Sequence, residues 1–287
     1  MKNALRLAAL LLCLSLVPAV AHSQGRCTMQ NIVGKYALTF TGASAIVMGT
    51  ALDTFHWEAL YGPIAGVGVI DIHADGTGTG EYWGVAGAWN FGFTPVPWDA
   101  TIVLNDDCTG SFLFEFGGST LIEKFVVLGN GREIRSVATQ TAIPTGNWLS
   151  TAYRINGSCG QNKIHGEYLF QCKNLYQLPV DPPNIFGGAI HIRMLIEPGG
   201  DWAGNVYGKV ADSNAEFPAY GHIAWNEDCT AEGTLETPFM PGVVSQAKGV
   251  FFDEGGRGYW MPLLNTMGDV TMPQPYGYCE ITKIDNK

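Results

Sequence analysis

Past the first two dozen residues, apolar and polar side chains alternate with a period of two in short runs broken by Gly, Asn and Asp. That is the signature of half-buried strands, and almost no stretch sustains the 3.6 period of an amphipathic helix. "VGKYALTF" predicts a first strand and "GVGVIDIHADGTGTGEYWG" a hairpin about an Asp-Gly turn. "WDATIVLNDDCTGSFLFEF" predicts a second hairpin, "EKFVVLGNGREIRSVAT" a third about Asn-Gly, and "NWLSTAYRI" a closing strand.

The same series then recurs. "CTMQNIVGKYALTF" from Cys27 corresponds to "CGQNKIHGEYLFQC" from Cys159, and the turn "NDDCTG" at Asn105 returns as "NEDCTA" at Asn226. A repeat of about 130 residues is a duplicated domain, too long to be a solenoid unit. Eight sequential strands per copy predict two tandem antiparallel eight-stranded up-and-down barrels, since closure removes both exposed edges. The expected division is a signal peptide at 1–23, one barrel domain at 24–157 and a second at 158–287. The leader reading rests on Lys2 and Arg6, the apolar run Leu7 to Val17, and small residues at Ala19, Ala21 and Ser23. It implies a secreted or periplasmic protein.

With Cys13 in the leader, six cysteines remain. Repeat equivalence pairs Cys27 with Cys108 and Cys159 with Cys229, each tying an entry segment to the middle hairpin turn. Cys172 and Cys279 are left, on the first and last strands of copy two; those strands are neighbours only if the sheet closes. Cys159–Cys172 is disfavoured because an intervening strand holds the two apart. At the positions of Cys172 and Cys279, copy one is read to carry Phe40 and Tyr153.

Alternation also assigns faces. Gly66, Gly68, Ile70 and Ile72 share one side, matched in copy two by Ile190, Ile192, Met194 and Ile196, and this apolar set is taken as the barrel lining. Val67, Val69, Asp71, His73, His191 and Arg193 then fall on the outer wall or between domains. Gly66 and Gly68 are expected to leave more room in copy one. The insertion 43–65, with Phe55, Trp57 and Tyr61, either closes that barrel's mouth or packs between the domains. Phe55, Trp57, Tyr61, Gly66, Gly68 and Ile70 are therefore the candidate ligand-binding residues.

Composition narrows the partners. The chain has 16 Lys+Arg against 26 Asp+Glu and a formal charge of -10, which becomes -12 without Lys2 and Arg6. No basic patch suits a nucleic acid, and no later segment is a membrane span. No cofactor is implied by any motif. "DIHADGTGTGEY" misses the calcium-loop pattern at its third and twelfth positions, His73 and Tyr82. No C-x-x-C or paired His suggests a metal. His56 and Glu58 would share a face in an extended segment but nothing converges on them, and Glu115 and Glu236 alternate with apolar neighbours towards the outside. No catalytic residue is assigned.

"GKY" (Gly34–Tyr36) and "GEY" (Gly166–Tyr168) resemble the Gly-x-Trp opening of lipocalins, with Tyr in place of Trp. The strand count is similar to lipocalin-like and allene-oxide-cyclase-like barrels. The resemblance implies either a small apolar ligand or a cofactor-independent isomerase or cyclase. Three functions follow: a binding protein for a small apolar or aromatic molecule, a cofactor-independent cyclase, isomerase or dehydratase in the same pocket, and a structural surface protein without a ligand. Whether the chain is an enzyme, and its oligomeric state, are left open by the sequence.

Overall fold

The computed structural model describes residues 26–48, 58–86, 89–90, 95–116, 119–140, 147–160, 163–178, 184–210, 213–238, 241–242, 244–263 and 274–284. The expected leader, and Phe55, His56 and Trp57, lie outside the described residues. A four-residue helix α1 (Met29–Ile32) leads into β1 (Gly34–Met48), β2 (Glu58–Ile72), β3 (Thr77–Ala86), the two-residue β4 (Trp89–Asn90) and β5 (Val96–Leu104). Then come β6 (Thr109–Phe116), β7 (Ser119–Leu128), β8 (Glu133–Gln140) and β9 (Asn147–Arg154). Every neighbour is antiparallel, β9 returns to pair with β1, and β4 is a short flap on β3. The second barrel is β10 (Gly166–Leu178), β11 (Asn184–Ile196), β12 (Asp201–Val210), β13 (Ser213–Trp225), β14 (Thr230–Leu235), β15 (Ser245–Phe252), β16 (Arg257–Leu263) and β17 (Gln274–Lys283). It closes through β10 and β17. The chain is all-β, two closed eight-stranded barrels in tandem, as the alternation and the duplication predict.

The repeated hexamer owes its recurrence to a turn. Cys108 and Cys229 take φ of 67° and 70°, a left-handed conformation costly for a residue with a Cβ. The preceding aspartate holds each in place. Asp107 Oδ1 accepts from the Thr109 amide and hydroxyl at 3.0 and 2.6 Å, and Asp228 does the same for Thr230 at 3.0 and 2.7 Å. Each turn is then stapled to its entry segment by Cys27–Cys108 or Cys159–Cys229. The third bridge, Cys172–Cys279, spans the closing pair of barrel two. These are the pairs that repeat equivalence predicts, and three disulfides fit an oxidising compartment.

One equivalence needs correcting. Cys172 pairs with Cys279 in the β10–β17 ladder, and the corresponding pair between β1 and β9 is Phe40 with Ser150. Tyr153 is therefore not the counterpart of Cys279. It faces outward, stacked on Phe252 of the other barrel at 4.9 Å. A connection of different length before β9 shifts the offset, which the earlier ladder positions do not reveal. The insertion also differs from a separate lid segment: β1 and β2 stay paired as far as Met48 with Glu58, so most of it lengthens their hairpin.

Both barrels are closed at one end in the same way. The phenol of Tyr36 donates to the Gly131 carbonyl at 2.8 Å, and Tyr168 donates to the Gly255 carbonyl at 3.1 Å. A cation lies over each ring, Arg154 in barrel one and Lys283 in barrel two. Arg154 also donates to the Tyr36 hydroxyl and to the Asn31 carbonyl, tying α1 across the end of barrel one. Between the barrels, Ala37, Ala65, Val67, Val69 and Trp83 pack against Val250, Phe252, Tyr259 and Met261. The outward apolar positions on β2 are thus buried against the second domain, whereas Asp71, His73, His191 and Arg193 are exposed.

Candidate functional site

The interior of barrel one has two layers. In the lower one Tyr36, Ile70, Ile72, Ile102, Phe112, Phe125, Val127 and Ile134 pack against Ile32 of α1 and the Cys27–Cys108 bridge. The upper layer starts at Gly66 and Gly68, and here the expectation of spare room fails. A Cβ built on Gly66 would stand 2.2 Å from Cζ of Phe40, and one on Gly68 would meet the Glu81 carbonyl at 2.5 Å and Tyr82 Cβ at 2.9 Å. Gly66 is the seat of the Phe40 ring, and Gly68 lies close against the backbone and Cβ of β3.

The exchange is pairwise. Phe40 opposite Gly66 becomes Cys172 opposite Ile190, and Gly68 opposite Tyr82 becomes Ile192 opposite Val206. In the first pair a large side chain faces a small one in both copies and the large one changes sides; in the second, ring against glycine becomes two aliphatics of similar size, as close packing allows. Phe40 and Tyr82 meet edge to face at 5.4 Å. Burial pushes the Tyr82 phenol up to about 12.

The chemically distinct residue of this layer is Glu123. On β7 the residues Glu123, Phe125 and Val127 all point inward, and Glu123 is 7% exposed. Ser136 Oγ donates to Oε2 at 2.5 Å, Trp148 Nε1 donates to Oε1 at 2.6 Å, and Ser150 Oγ approaches Oε1 at 3.4 Å. Ser136 lies on β8, Trp148 and Ser150 on β9, so three adjacent strands converge on one carboxyl. No cation pairs with it among the described residues. Burial drives its pKa upward, and the three donors pull it back only in part. The β7–β8 ladder slips its register between Ile122 and Glu123, a bulge of the kind that re-aims side chains beside functional sites.

Copy two lacks this arrangement. The ladders place Ala247 where barrel one has Glu123, Trp260 for Ser136, Gly277 for Trp148 and Cys279 for Ser150. Trp260 fills the interior: a Cβ on Gly233 or Gly249 would come within 2.3 Å of its indole. Those two glycines stand where barrel one has Phe112 and Phe125. One indole and a disulfide occupy barrel two where barrel one has a polar cluster.

Of the sequence candidates, Ile70 is in the packed lower layer, Gly66 seats the Phe40 ring, Gly68 lies close against β3, and Tyr61 lies on β2 opposite Ala45. Glu115 is exposed and accepts from Thr120. Asp75 accepts from the Thr77 amide and hydroxyl, the hexamer's own turn device, and no metal-binding cluster of His, Cys, Asp and Glu forms among the described residues. Glu123 and its donors were not picked out by motif. The available signal was positional: Glu123 shares the parity of Phe125 and Val127, and Ser136 and Ser150 share that of Ile134 and Ala152.

No protein-family model and no curated protein matches the chain. Among solved structures it is similar to a double mutant of the vaccine antigen Transferrin Binding Protein B from Haemophilus parasuis, at 11% identity and TM-score 0.32, covering 88% of this chain and 76% of that one. It is also similar to a protein with unknown function from the DUF3598 family of Nostoc punctiforme, at 10% identity and TM-score 0.29, covering 89% and 97%. Scores this low carry no argument. The assignment of two tandem closed antiparallel barrels rests on the chain's own ladders.

Proposed function

We propose that this is an exported tandem-barrel protein whose first barrel binds a small apolar or aromatic molecule, with one polar group of that molecule addressed to Glu123. The supporting observation is the buried carboxyl opposite a bulge in β8, absent from the equivalent position of the second barrel, which Trp260 fills. Burying an ionisable group without a cation opposes folding, so its presence in one copy, where the other has Ala247, points to use rather than packing. Aromatic walls with few polar groups are the usual lining of such sites. Phe55, Trp57 and Tyr61 belong to the same proposal, as aromatic residues of the 43–65 insertion.

The test titrates Nile red, a neutral environment-sensitive dye, into the wild type and into Ser150→Phe and Ala138→Phe, which crowd the Glu123 layer from two walls. Circular dichroism checks that each variant folds. Saturable uptake in the wild type, lost in a folded crowded variant, supports the reading. No uptake by the wild type, or uptake unchanged by crowding, overturns it and favours a structural protein. A second reading has one observation behind it: a carboxyl with a raised pKa holds a proton closer to neutral pH and can act as general acid or base. That reading is a cofactor-independent isomerase, cyclase or dehydratase. It requires that a molecule found bound by native mass spectrometry is chemically altered by the wild type and not by Glu123→Gln.

A further inference from the structure

We infer that copies of this chain associate head to tail, through a face of barrel one that repeats the face barrel two already uses inside the chain. The internal interface is built, on the barrel-two side, from Lys248, Val250, Phe252, Tyr259, Met261 and Tyr278. Ladder equivalence carries these onto Lys124, Val126, Leu128, Arg135, Val137 and Leu149 of barrel one. Four of these six are large hydrophobics in both copies, and the lysine is identical. In barrel two they are covered, with Val250 and Met261 fully buried; in barrel one Val137 is 41% and Leu149 64% exposed. Val103, Ser111, Lys124, Val137 and Leu149 form a continuous cross-strand row there. A shallow groove of about 470 Å³ lies along it.

The complementary face is open too. Trp83 of barrel one sits under Lys248 at 5.5 Å in the internal interface. Its equivalent in barrel two is Tyr207, 44% exposed; Val67 and Val69 are replaced there by the exposed His191 and Arg193, and Leu195 and Tyr220 add exposed apolar surface on the adjoining strands. The exposed large hydrophobics among the described residues fall into two groups, Val103, Val126, Leu128, Val137 and Leu149 on barrel one and Leu195, Tyr207 and Tyr220 on barrel two. Charge fits the same register. Lys248 is paired with Glu232 on its own barrel, but Lys124 has Ser111 at that position, accepting its hydrogen bond at 2.7 Å. Glu216, opposite Tyr207 in the β12–β13 ladder and exposed, supplies a carboxylate for Lys124 from the next copy.

A contact between two different faces is heterologous and extends into a ring or filament unless blocked. The experiment is sedimentation velocity of the wild type, Val137→Glu and Tyr207→Glu over a concentration series, with each variant alone and the two mixed. Both substitutions are on exposed positions and leave the barrels folded. Wild-type chains give species beyond the dimer that grow with concentration. Each variant alone associates at least tenfold more weakly, an order expected for a charge placed in an apolar contact. The one-to-one mixture stops at a dimer, because each variant keeps one intact face. A wild type that is monomeric at every concentration overturns the proposal. So does association indifferent to both substitutions, and so does a mixture that fails to form the capped dimer, which would mean a contact between identical faces.

Discussion

Replacing Glu123 separates the worth of its hydrogen bonds from the cost of its burial. Glu123→Leu keeps the volume roughly constant and removes the acceptor for three donors. The two serine hydroxyls can rotate towards other acceptors; the Trp148 indole N–H is fixed by its ring. Near pH 4, where the carboxyl is protonated both folded and unfolded, the leucine variant should lose about 1–3 kcal/mol, the penalty for one orphaned buried donor. Raising the pH changes the balance. Above the ordinary value of 4.5 the unfolded chain ionises at this position while the folded barrel, with its raised pKa, retains the proton. The folded state then binds more protons than the unfolded one, so the wild type loses stability until pH passes the folded pKa, at about 1.4 kcal/mol per unit of separation. The leucine variant has no such loss, and all other carboxylates cancel in the comparison. The wild type's advantage should therefore shrink as the pH rises above about 4.5, and Glu123→Gln, which keeps an acceptor for Trp148, should match or exceed the wild type once the folded carboxyl ionises. Urea unfolding of the barrel-one transition at four pH values measures this. An advantage that stays constant or grows with pH refutes the argument that burial opposes ionisation of this group.

The pairwise exchange in barrel one predicts that Phe40→Ala costs about 2–3 kcal/mol, below the range for a fully buried aromatic because Phe40 is only half-buried. The double variant Phe40→Ala with Gly66→Ile, which imports the size order of copy two, should recover at least about 1 kcal/mol over the sum of the single changes in a double-mutant cycle; strict additivity would show that the two positions do not share one space. Removing the closing bridge by Cys172→Ser with Cys279→Ser releases a loop of sequence separation 107, worth about 4–5 kcal/mol by chain entropy. Calorimetry should show the barrel-two transition lowered and the barrel-one transition in place, and equal shifts in both would mean the domains unfold as one unit.

Strand count, turn chemistry, barrel closure and disulfide pairing were all legible because each depends on local pattern or on the duplication. The Asp-Cys-Thr turn is written in consecutive residues, and repeat equivalence translates directly into Cys pairing. The interior was legible only as parity. That Gly66 faces inward follows from alternation, but whether its missing side chain is a vacancy depends on Phe40, which lies 26 positions away in sequence and directly opposite in the ladder. Glu123 was hidden for a related reason. Beside Lys124 it reads as half of a solvated charge pair, and only the parity of Phe125 and Val127 sends one member of that pair inward.

Ring closure gives each barrel a temporal order. Tyr36 receives its hydrogen bond from Arg154, 118 residues later, and β1 has a native partner on one side only until β9 arrives. Until then the nascent ring carries two unpaired rims, the species most open to mispairing with another chain. Contacts this distant in sequence make closure slow, and the second barrel repeats the wait between Gly166 and Lys283. In barrel two the Cys172–Cys279 bridge can form only when the first and last strands meet, so its oxidation is a covalent timestamp of the moment the ring shuts.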